Sequence, residues 1–124
     1  MLELICDINK TYSCRKLFIG DFNFSNINWS DWTLKSSGDN SSDAKFVACL
    51  RHNLLLQHVT GATRSRDTNT PHTLDLVITR EDFVGEVLNL SPLGKSDHSV
   101  LHFECELICS SYTHANKYNY NKGY

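Results

Sequence analysis

The sequence predicts an α+β domain built from two short helices and several short strands. Apolar side chains recur every three or four positions near the N-terminus and again after residue 42, a spacing typical of amphipathic helices. Apolar runs of strand length lie between and after these segments, and residues 73–79 form the clearest of them. A chain of 124 residues accommodates one such domain and can bury a hydrophobic core.

In the first third of the chain, one helix and one strand precede a long polar segment. The N-terminal apolar spacing predicts a helix over residues 2–9. The wholly apolar run 17–19 predicts a strand that is buried on both faces and ends at Gly20. Residues 25–42 are mostly Ser, Asn, Asp and Gly, and they predict a long surface loop anchored by two tryptophans.

A second helix and four further strands follow. Ser42 is the predicted N-cap, because Asp43 then lies in the first turn, where the helix dipole favours a negative charge. The helix is predicted to end near Asn53. The predicted strands are residues 54–59, 73–79, 84–90 and 101–107.

Composition and charge exclude several classes of protein. The apolar fraction of 40% is too high for a disordered chain of net charge −2. No apolar run approaches the length of a transmembrane helix. A protein that binds DNA by neutralising phosphates alone normally has an excess of basic residues, whereas this chain has 12 basic and 14 acidic residues. Chemistry on a nucleic acid would therefore depend on local sites or on a metal ion.

The cysteines indicate a reducing environment. Their number is odd, no two have C-x-x-C spacing, and no basic segment of a signal peptide precedes them. We therefore expect free thiols in an intracellular protein, in either the nucleus or the cytoplasm. A zinc site that combines cysteines with some of the six histidines is the alternative, but the ligand spacing of such sites is absent.

Polar side chains occupy the ends or the interior of three predicted strands. Asp21 and Asn23 follow the first strand, Asp75 lies within the strand 73–79, and Asp97 and His98 precede the last strand. Each set has an ordinary explanation when it is taken singly, as turn chemistry or as a charge on an edge strand. Together, carboxylates, an amide and an imidazole can hold a divalent cation, orient a water and donate to a phosphate oxygen.

Three segments of the sequence carry a family resemblance. Residues 17–23 (LFIGDFN), 73–77 (TLDLV) and 96–101 (SDHSVL) occur in that order and at compatible spacing. They resemble the C-terminal part of the endonuclease/exonuclease/phosphatase superfamily, and within it the endonuclease of non-LTR (LINE-type) retrotransposon polyproteins. Trp29 after the first motif and the pair Thr63-Arg64 before the second resemble the same branch.

The resemblance implies a role for each motif residue. Asp21 would position or deprotonate the attacking water, and Asn23 would hold the phosphoryl oxygens in the transition state. Asp75 would orient His98, which would act on the scissile phosphate. Asp97 would lie on the metal and leaving-group side, and it is the one residue predicted as a metal ligand.

Further expectations concern the substrate, the cofactor and the partners. Thr63 and Ser96 are expected to contact the substrate phosphate. The resemblance implies a Mg²⁺ (or Mn²⁺) cofactor, a DNA substrate, no membrane, and a reverse transcriptase downstream in the same polyprotein. Residues 118–123 resemble the start of the linker to that enzyme, so we predict a partial domain over residues 1–108 and a linker-like tail over 109–124.

The resemblance also implies a more specific fold. The family fold is a four-layer α/β/β/α sandwich of two sheets flanked by helices, and this chain corresponds to its second half. The glutamate that is the family's principal magnesium ligand belongs to the first half, so we expect weak or no activity from this chain alone. The inner face of the sheet is expected to expose apolar surface.

Two alternatives stay open at this point. The chain could be a non-catalytic, transposon-derived remnant that serves only in binding or folding. It could also be a different phosphodiesterase or phosphatase of the same superfamily. Dye binding and aggregation would indicate an incomplete sandwich, whereas substrate preference would separate the branches.

Overall fold

A computed structural model describes residues 2–36, 41–65 and 70–106 and confirms the α+β class. These residues contain two helices and several antiparallel sheets. The elements in chain order are α1 (Leu2–Thr11), β1 (Leu17–Asp21), β2 (Ile27–Asn28), β3 (Thr33–Leu34), α2 (Ser42–His52), β4 (Leu56–Gln57), β5 (Asp75–Thr79), β6 (Leu88–Leu90) and β7 (Val100–His102). The predicted tail, and the domain boundary that precedes it, lie outside the described residues.

The principal sheet has the strand order β1-β5-β4, and both pairings are antiparallel. The central strand β5 is buried from its second residue onward. The prediction that β1 is buried on both faces is wrong, because Leu17 and Ile19 are 37% and 56% exposed. Phe18, which alternates with them, lies on the other face and packs against the core, so within the described residues β1 is covered chiefly on that face.

Both helices cover one face of this sheet. Ile5 of α1 and Phe46 and Leu50 of α2 pack with Leu76 and Ile78 of β5. Each of these five side chains is at most 3% exposed, so their burial is close to complete. Removal of this apolar surface from water is what attaches the helices to the sheet.

The ends of α2 differ by small shifts from the predicted ones. The N-cap is Ser41 and not Ser42, because the Ser41 hydroxyl accepts from the Ala44 backbone N–H at 3.2 Å. Asn53 is the C-cap, in agreement with the predicted end of the helix near this residue. Leu54 follows in the left-handed region with φ 56°, a conformation outside the β region, and β4 therefore begins later than the predicted strand.

The opposite face of β5 packs against the last part of the described chain. Val77 lies in a cluster with Val59, Phe83 and Val87, and Leu101 of β7 packs on it. β6 and β7 form an antiparallel pair beside this cluster. Both strands are shorter than predicted. In the described residues before β6 and after β7, the two segments pair again only at one isolated backbone bridge, between Val84 and Cys105.

The polar segment predicted as a loop contains a small hairpin. β2 and β3 pair in antiparallel fashion, with Ile27 opposite Leu34. Trp29 and Trp32 meet edge to face, with ring centroids 5.2 Å apart, and Trp29 also contacts Phe46. The tryptophans therefore anchor the segment on the core, as predicted, while its backbone is more regular than a loop.

In the described part of the chain, neither helix is long and apolar enough to span a bilayer.

Candidate active site

Two acidic residues lie opposite each other at one end of the principal sheet. The antiparallel register pairs Asp21, the last residue of β1, with Asp75, the first residue of β5. Directly opposed residues of an antiparallel pair project from the same face of the sheet. The pairing therefore brings the acid of the first motif beside the acid of the second, although 54 positions separate them in the sequence.

His98 reaches this pair through a third segment that pairs with residues 63–65. Arg64 forms backbone bridges both to His98 and to His72. The Ser99 backbone N–H donates to the Thr63 carbonyl oxygen at 2.7 Å, which extends the same contact. The segment that carries the third motif is thereby held beside the start of β5.

The imidazole of His98 lies among three carboxylates. Its Nδ1 is 2.8 Å from Asp75 Oδ2, which is hydrogen-bond distance. Its Nε2 is 3.9 Å from Asp21 Oδ2 and 3.8 Å from Asp97 Oδ1. Because an ionised carboxylate can only accept, Nδ1 carries a proton and donates to Asp75. Nε2 is therefore the ring nitrogen that faces the other two acids.

The pKa of His98 is raised above its ordinary value of 6.5. The hydrogen bond to Asp75 is the largest cause, and the negative charges of Asp75, Asp21 and Asp97 act in the same direction. Partial burial opposes them by disfavouring the charged ring. The site therefore favours the imidazolium form, which has a donor at Nε2 as well as at Nδ1.

Arg64 forms an ion pair with Asp97 through the carboxylate oxygen Oδ2, whereas Oδ1 faces the histidine. Arg64 Nε donates to Asp97 Oδ2 at 2.9 Å, and the two side chains are 34% and 24% exposed. The two residues are 33 positions apart. In the sequence Arg64 is recognisable only as a family feature, and no local pattern predicts an ion pair over this separation.

Thr63 positions the backbone at the start of β5. Its side chain is fully buried, and Oγ1 accepts from the backbone N–H groups of Leu74 and Asp75, each at 3.0 Å. This geometry is that of a residue that orients Asp75. Thr63 is fully buried, so a phosphate contact through its hydroxyl hydrogen would require the site to open, and the expected contact stays a prediction.

Asn23 and Ser96 lie at the edge of the cluster. Asn23 adopts φ 57°, which asparagine tolerates better than most residues, and its backbone N–H donates to Asp21 Oδ1 at 3.0 Å. Ser96 Oγ accepts from the His98 backbone N–H at 3.1 Å. A cavity of about 440 Å³ adjoins Asn23, and Arg64 and His72 also line it. The cavity is large enough for part of a nucleotide-sized ligand.

The cluster offers donors for a divalent cation. Within the described residues, one ligand atom from each of Asp21, Asp75 and His98 lies within 4.8 Å of the others. Asp75 and His98 Nδ1 already bond to each other, which leaves the carboxylates of Asp21 and Asp97 as the oxygen donors nearest Nε2. Mg²⁺ is commonly held by one or two carboxylates together with substrate phosphate oxygens, so the donor set fits such an ion.

One known protein family matches most of this sequence. The family model described as "Endonuclease-reverse transcriptase" matches residues 1–102. The chain belongs to the endonuclease–reverse transcriptase family. The predicted relationship to the endonuclease/exonuclease/phosphatase-type domain of retrotransposon endonucleases is thereby confirmed. Comparisons with curated proteins and with solved structures gave no match.

The family match spans all the site residues discussed above. Its name couples an endonuclease with a reverse transcriptase, which agrees with the retrotransposon context that the motifs indicated. The structure brings Asp21, Asp75, Asp97 and His98 into one cluster, and it places Asn23 beside them. Thr63 lies next to this cluster but does not face it, because its hydroxyl oxygen accepts from the backbone N–H of Asp75.

Proposed function

We propose that this chain carries the phosphodiester-hydrolysing site of a metal-dependent, DNA-nicking endonuclease. In this proposal it is part of a retrotransposon polyprotein that also contains a reverse transcriptase. One observation carries the proposal: His98 bonds to Asp75 through Nδ1 while its Nε2 faces Asp21 and Asp97. In a member of the endonuclease–reverse transcriptase family, that arrangement presents a ring N–H donor beside two carboxylates, which are groups that phosphodiester hydrolysis requires.

His98 and Asp75 act as a unit in the proposed reaction. Asp75 holds the ring in one orientation and stabilises its positive charge. The charged ring then donates from Nε2 to an oxygen of the scissile phosphate. The donor strengthens as negative charge builds up on that oxygen in the transition state, which is how it lowers the barrier.

The neighbouring groups deliver the nucleophile and hold the phosphate. Asp21 orients the attacking water and accepts its proton. Its carboxylate lies 3.9 Å from Nε2, and its side chain is 43% exposed, so a water can reach it beside the phosphate. The Asn23 amide donates to a phosphoryl oxygen from the edge of the adjoining cavity. Asp97, which Arg64 holds in place, serves the leaving-group side.

A divalent cation completes the proposed site. Asp97 and Asp21 would hold Mg²⁺ or Mn²⁺ through carboxylate oxygens. When bound, such an ion supplies charge neutralisation for the phosphoryl oxygens and for the leaving group.

The more specific fold prediction belongs to the same proposal. Leu17 and Ile19 alternate with Phe18 along β1 and lie on the sheet face that the helices do not cover. Their exposure of 37% and 56% supports a second sheet packing there, as in a four-layer sandwich. The chain would then be the second half of that sandwich.

Nicking of supercoiled plasmid DNA tests the proposal. With Mg²⁺ or Mn²⁺ present, His98→Ala and Asp21→Ala are each expected to lower the nicking rate by about 100-fold or more. His102→Ala is the matched control, because that histidine is exposed on β7 and should leave the rate unchanged. Nicking that survives the site variants, or that survives a chelator, would contradict the assignment.

The same assay separates the alternatives. Absence of nicking with either metal, even after the family's glutamate-bearing first half is added to the wild-type chain, favours a non-catalytic remnant. Preferential cleavage of abasic DNA, or hydrolysis of a small phosphomonoester, favours another branch of the superfamily. Activity that is confined to intact duplex DNA supports the retrotransposon endonuclease.

A further inference from the structure

Two cysteines meet between the helices, away from the Asp–His cluster. Cys6 lies on α1 and Cys49 on α2, and their Sγ atoms are 3.0 Å apart although 43 positions separate them in the sequence. A disulfide requires a separation of about 2.05 Å. An approach of about 1 Å, within reach of small side-chain rotations, would therefore bring the two sulfurs to bonding distance.

The sulfurs lie in a defined polar setting. Asn53 Nδ2 donates to the Cys49 carbonyl oxygen at 2.8 Å, and it lies 3.4 Å from Cys6 Sγ and 3.6 Å from Cys49 Sγ. Asn9 Nδ2 in turn contacts Asn53 Oδ1 at 3.5 Å. The C-cap of α2 thus contacts both thiols and is itself in contact with α1.

Small molecules can reach the pair from solvent. Cys6 and Cys49 are both partly exposed, and they line an open groove of about 770 Å³ together with Lys45, Arg51 and His52. The cationic side chains of Lys45 and Arg51 would favour an anionic reagent in this groove. Glutathione disulfide, a small disulfide that carries several carboxylates, matches that requirement.

Each thiol must lose a proton before it can react. Burial raises the pKa of Cys49 to about 11, and its hydrogen bond with Cys6 adds to the effect. Cys49 is therefore protonated at neutral pH. Because the thiolate is the nucleophile in disulfide exchange, whichever thiol loses its proton first makes the first attack.

We propose that Cys6 and Cys49 form an oxidisable dithiol, which an anionic low-molecular-weight disulfide converts into a disulfide between α1 and α2. One of the two thiols loses its proton to solvent, and its thiolate attacks one sulfur of glutathione disulfide and releases one glutathione thiolate. The other thiol loses its proton to solvent and attacks the protein sulfur of the mixed disulfide, which releases the second glutathione. Two protein thiols are oxidised, and one glutathione disulfide is reduced to two thiols.

The new bond would tie the two helices together over the core. Both helices pack on the same face of the principal sheet, so the bond would restrict the unfolded chain without moving that sheet. This inference does not depend on the proposed nuclease activity, because none of the residues in the dithiol belongs to the Asp–His cluster.

The test uses a variant in which Cys6 and Cys49 are the only cysteines, with Cys14, Cys105 and Cys109 replaced by serine. The full chain is equilibrated in glutathione buffers, alkylated and weighed by mass spectrometry. The expected product has lost two hydrogens and takes up no alkylating agent. The equilibrium constant of the exchange should be at least about 100-fold larger for the folded chain than in urea, because folding holds the sulfurs together. The midpoint of thermal unfolding should rise by roughly 10 °C.

A second pair of thiols provides the matched control. The variant that keeps Cys14 and Cys49 contains one exposed thiol of the turn after α1, and it should instead accumulate mixed disulfides with glutathione. Equal constants in folded and unfolded chains, or mixed disulfides in both variants, would overturn the proposal. If the triple substitution prevents folding, peptide mapping of the oxidised wild-type chain decides, since the proposal requires a Cys6–Cys49 cross-link.

Discussion

Asp75 and His98 are joined by a 2.8 Å hydrogen bond, and a single buried threonine holds the backbone on both sides of it. Thr63 Oγ1 accepts from the Asp75 backbone N–H, while the Thr63 carbonyl oxygen accepts from the Ser99 backbone N–H. The acid and the imidazole therefore belong to segments that are fixed to the same residue. This explains how two short segments, 23 positions apart, present one pair of side chains.

The raised pKa of His98 should depend on Asp75. Asp75→Asn removes both the charge and the best acceptor, so the pKa of His98 should fall relative to wild type. Titration of the histidine ring protons by NMR measures the change, with the exposed His102 as an internal control. An unchanged pKa of His98 would show that the hydrogen bond contributes little to the charged form.

The same shift has a consequence for stability. A folded-state pKa above the unfolded value of about 6.5 stabilises the fold most below that pH, and the contribution is lost as the pH rises through the folded pKa. The free energy of unfolding of Asp75→Asn should therefore lie furthest below that of wild type in acid, and the gap should narrow towards higher pH.

His58 should make the opposite contribution to the pH dependence of stability. Its pKa is lowered, chiefly by burial, while the charge of Asp82 partly offsets the effect. Thr79 Oγ1 donates to the Glu81 carbonyl oxygen and must accept from His58 Nε2, so the neutral ring carries its proton on Nε2.

The expected result for His58 is a loss of stability in acid. The fold favours the neutral ring, so this contribution is complete above about pH 6.5 and decreases as the pH falls towards the folded pKa. His58→Gln keeps a side-chain donor but cannot titrate. Urea unfolding from pH 7 to pH 5 should show a steeper loss for wild type than for the variant, and parallel curves would contradict this assignment.

Thr63→Val should destabilise the protein by about 3 kcal/mol, because it leaves two buried backbone N–H groups without an acceptor. Thr63→Ser is the matched control, since it retains Oγ and loses only one methyl group, at a cost of about 1 kcal/mol. Urea denaturation measures both values. A valine variant as stable as the serine variant would show that the hydroxyl is dispensable.

Phe46→Ala should cost about 4 kcal/mol, because the ring is fully buried and stacks on Phe24 with centroids 4.4 Å apart. Trp29 and Phe22 also contact this ring, so the vacated space cannot close without moving several side chains. Leu93→Ala, at a position that is 75% exposed, should change the free energy of unfolding by less than about 0.5 kcal/mol. Thermal melts of both variants decide the matter.

Most elements of the fold could be predicted from local pattern. The helices follow apolar spacing, and β5 follows a continuous apolar run, because burial imposes these periods on any sequence. Boundaries depend on single contacts, so the N-cap was displaced by one residue to Ser41 and β4 began after the left-handed Leu54. The exposure of Ile19 depends on what packs over that face of β1, which strand composition does not report.

The sequence by itself determined the family of this protein and the residue types of its site, because three motifs carry a specific set of acids, an amide and an imidazole in a fixed order. Only the tertiary structure decided what those residues contact. Strand register set Asp21 opposite Asp75, and a backbone bridge to His98 brought Arg64 to the third motif. Contacts between distant segments arise from packing and hydrogen bonding of the whole chain, and no local pattern encodes them. For the same reason, the Cys6–Cys49 pair became visible only when α1 and α2 were placed side by side.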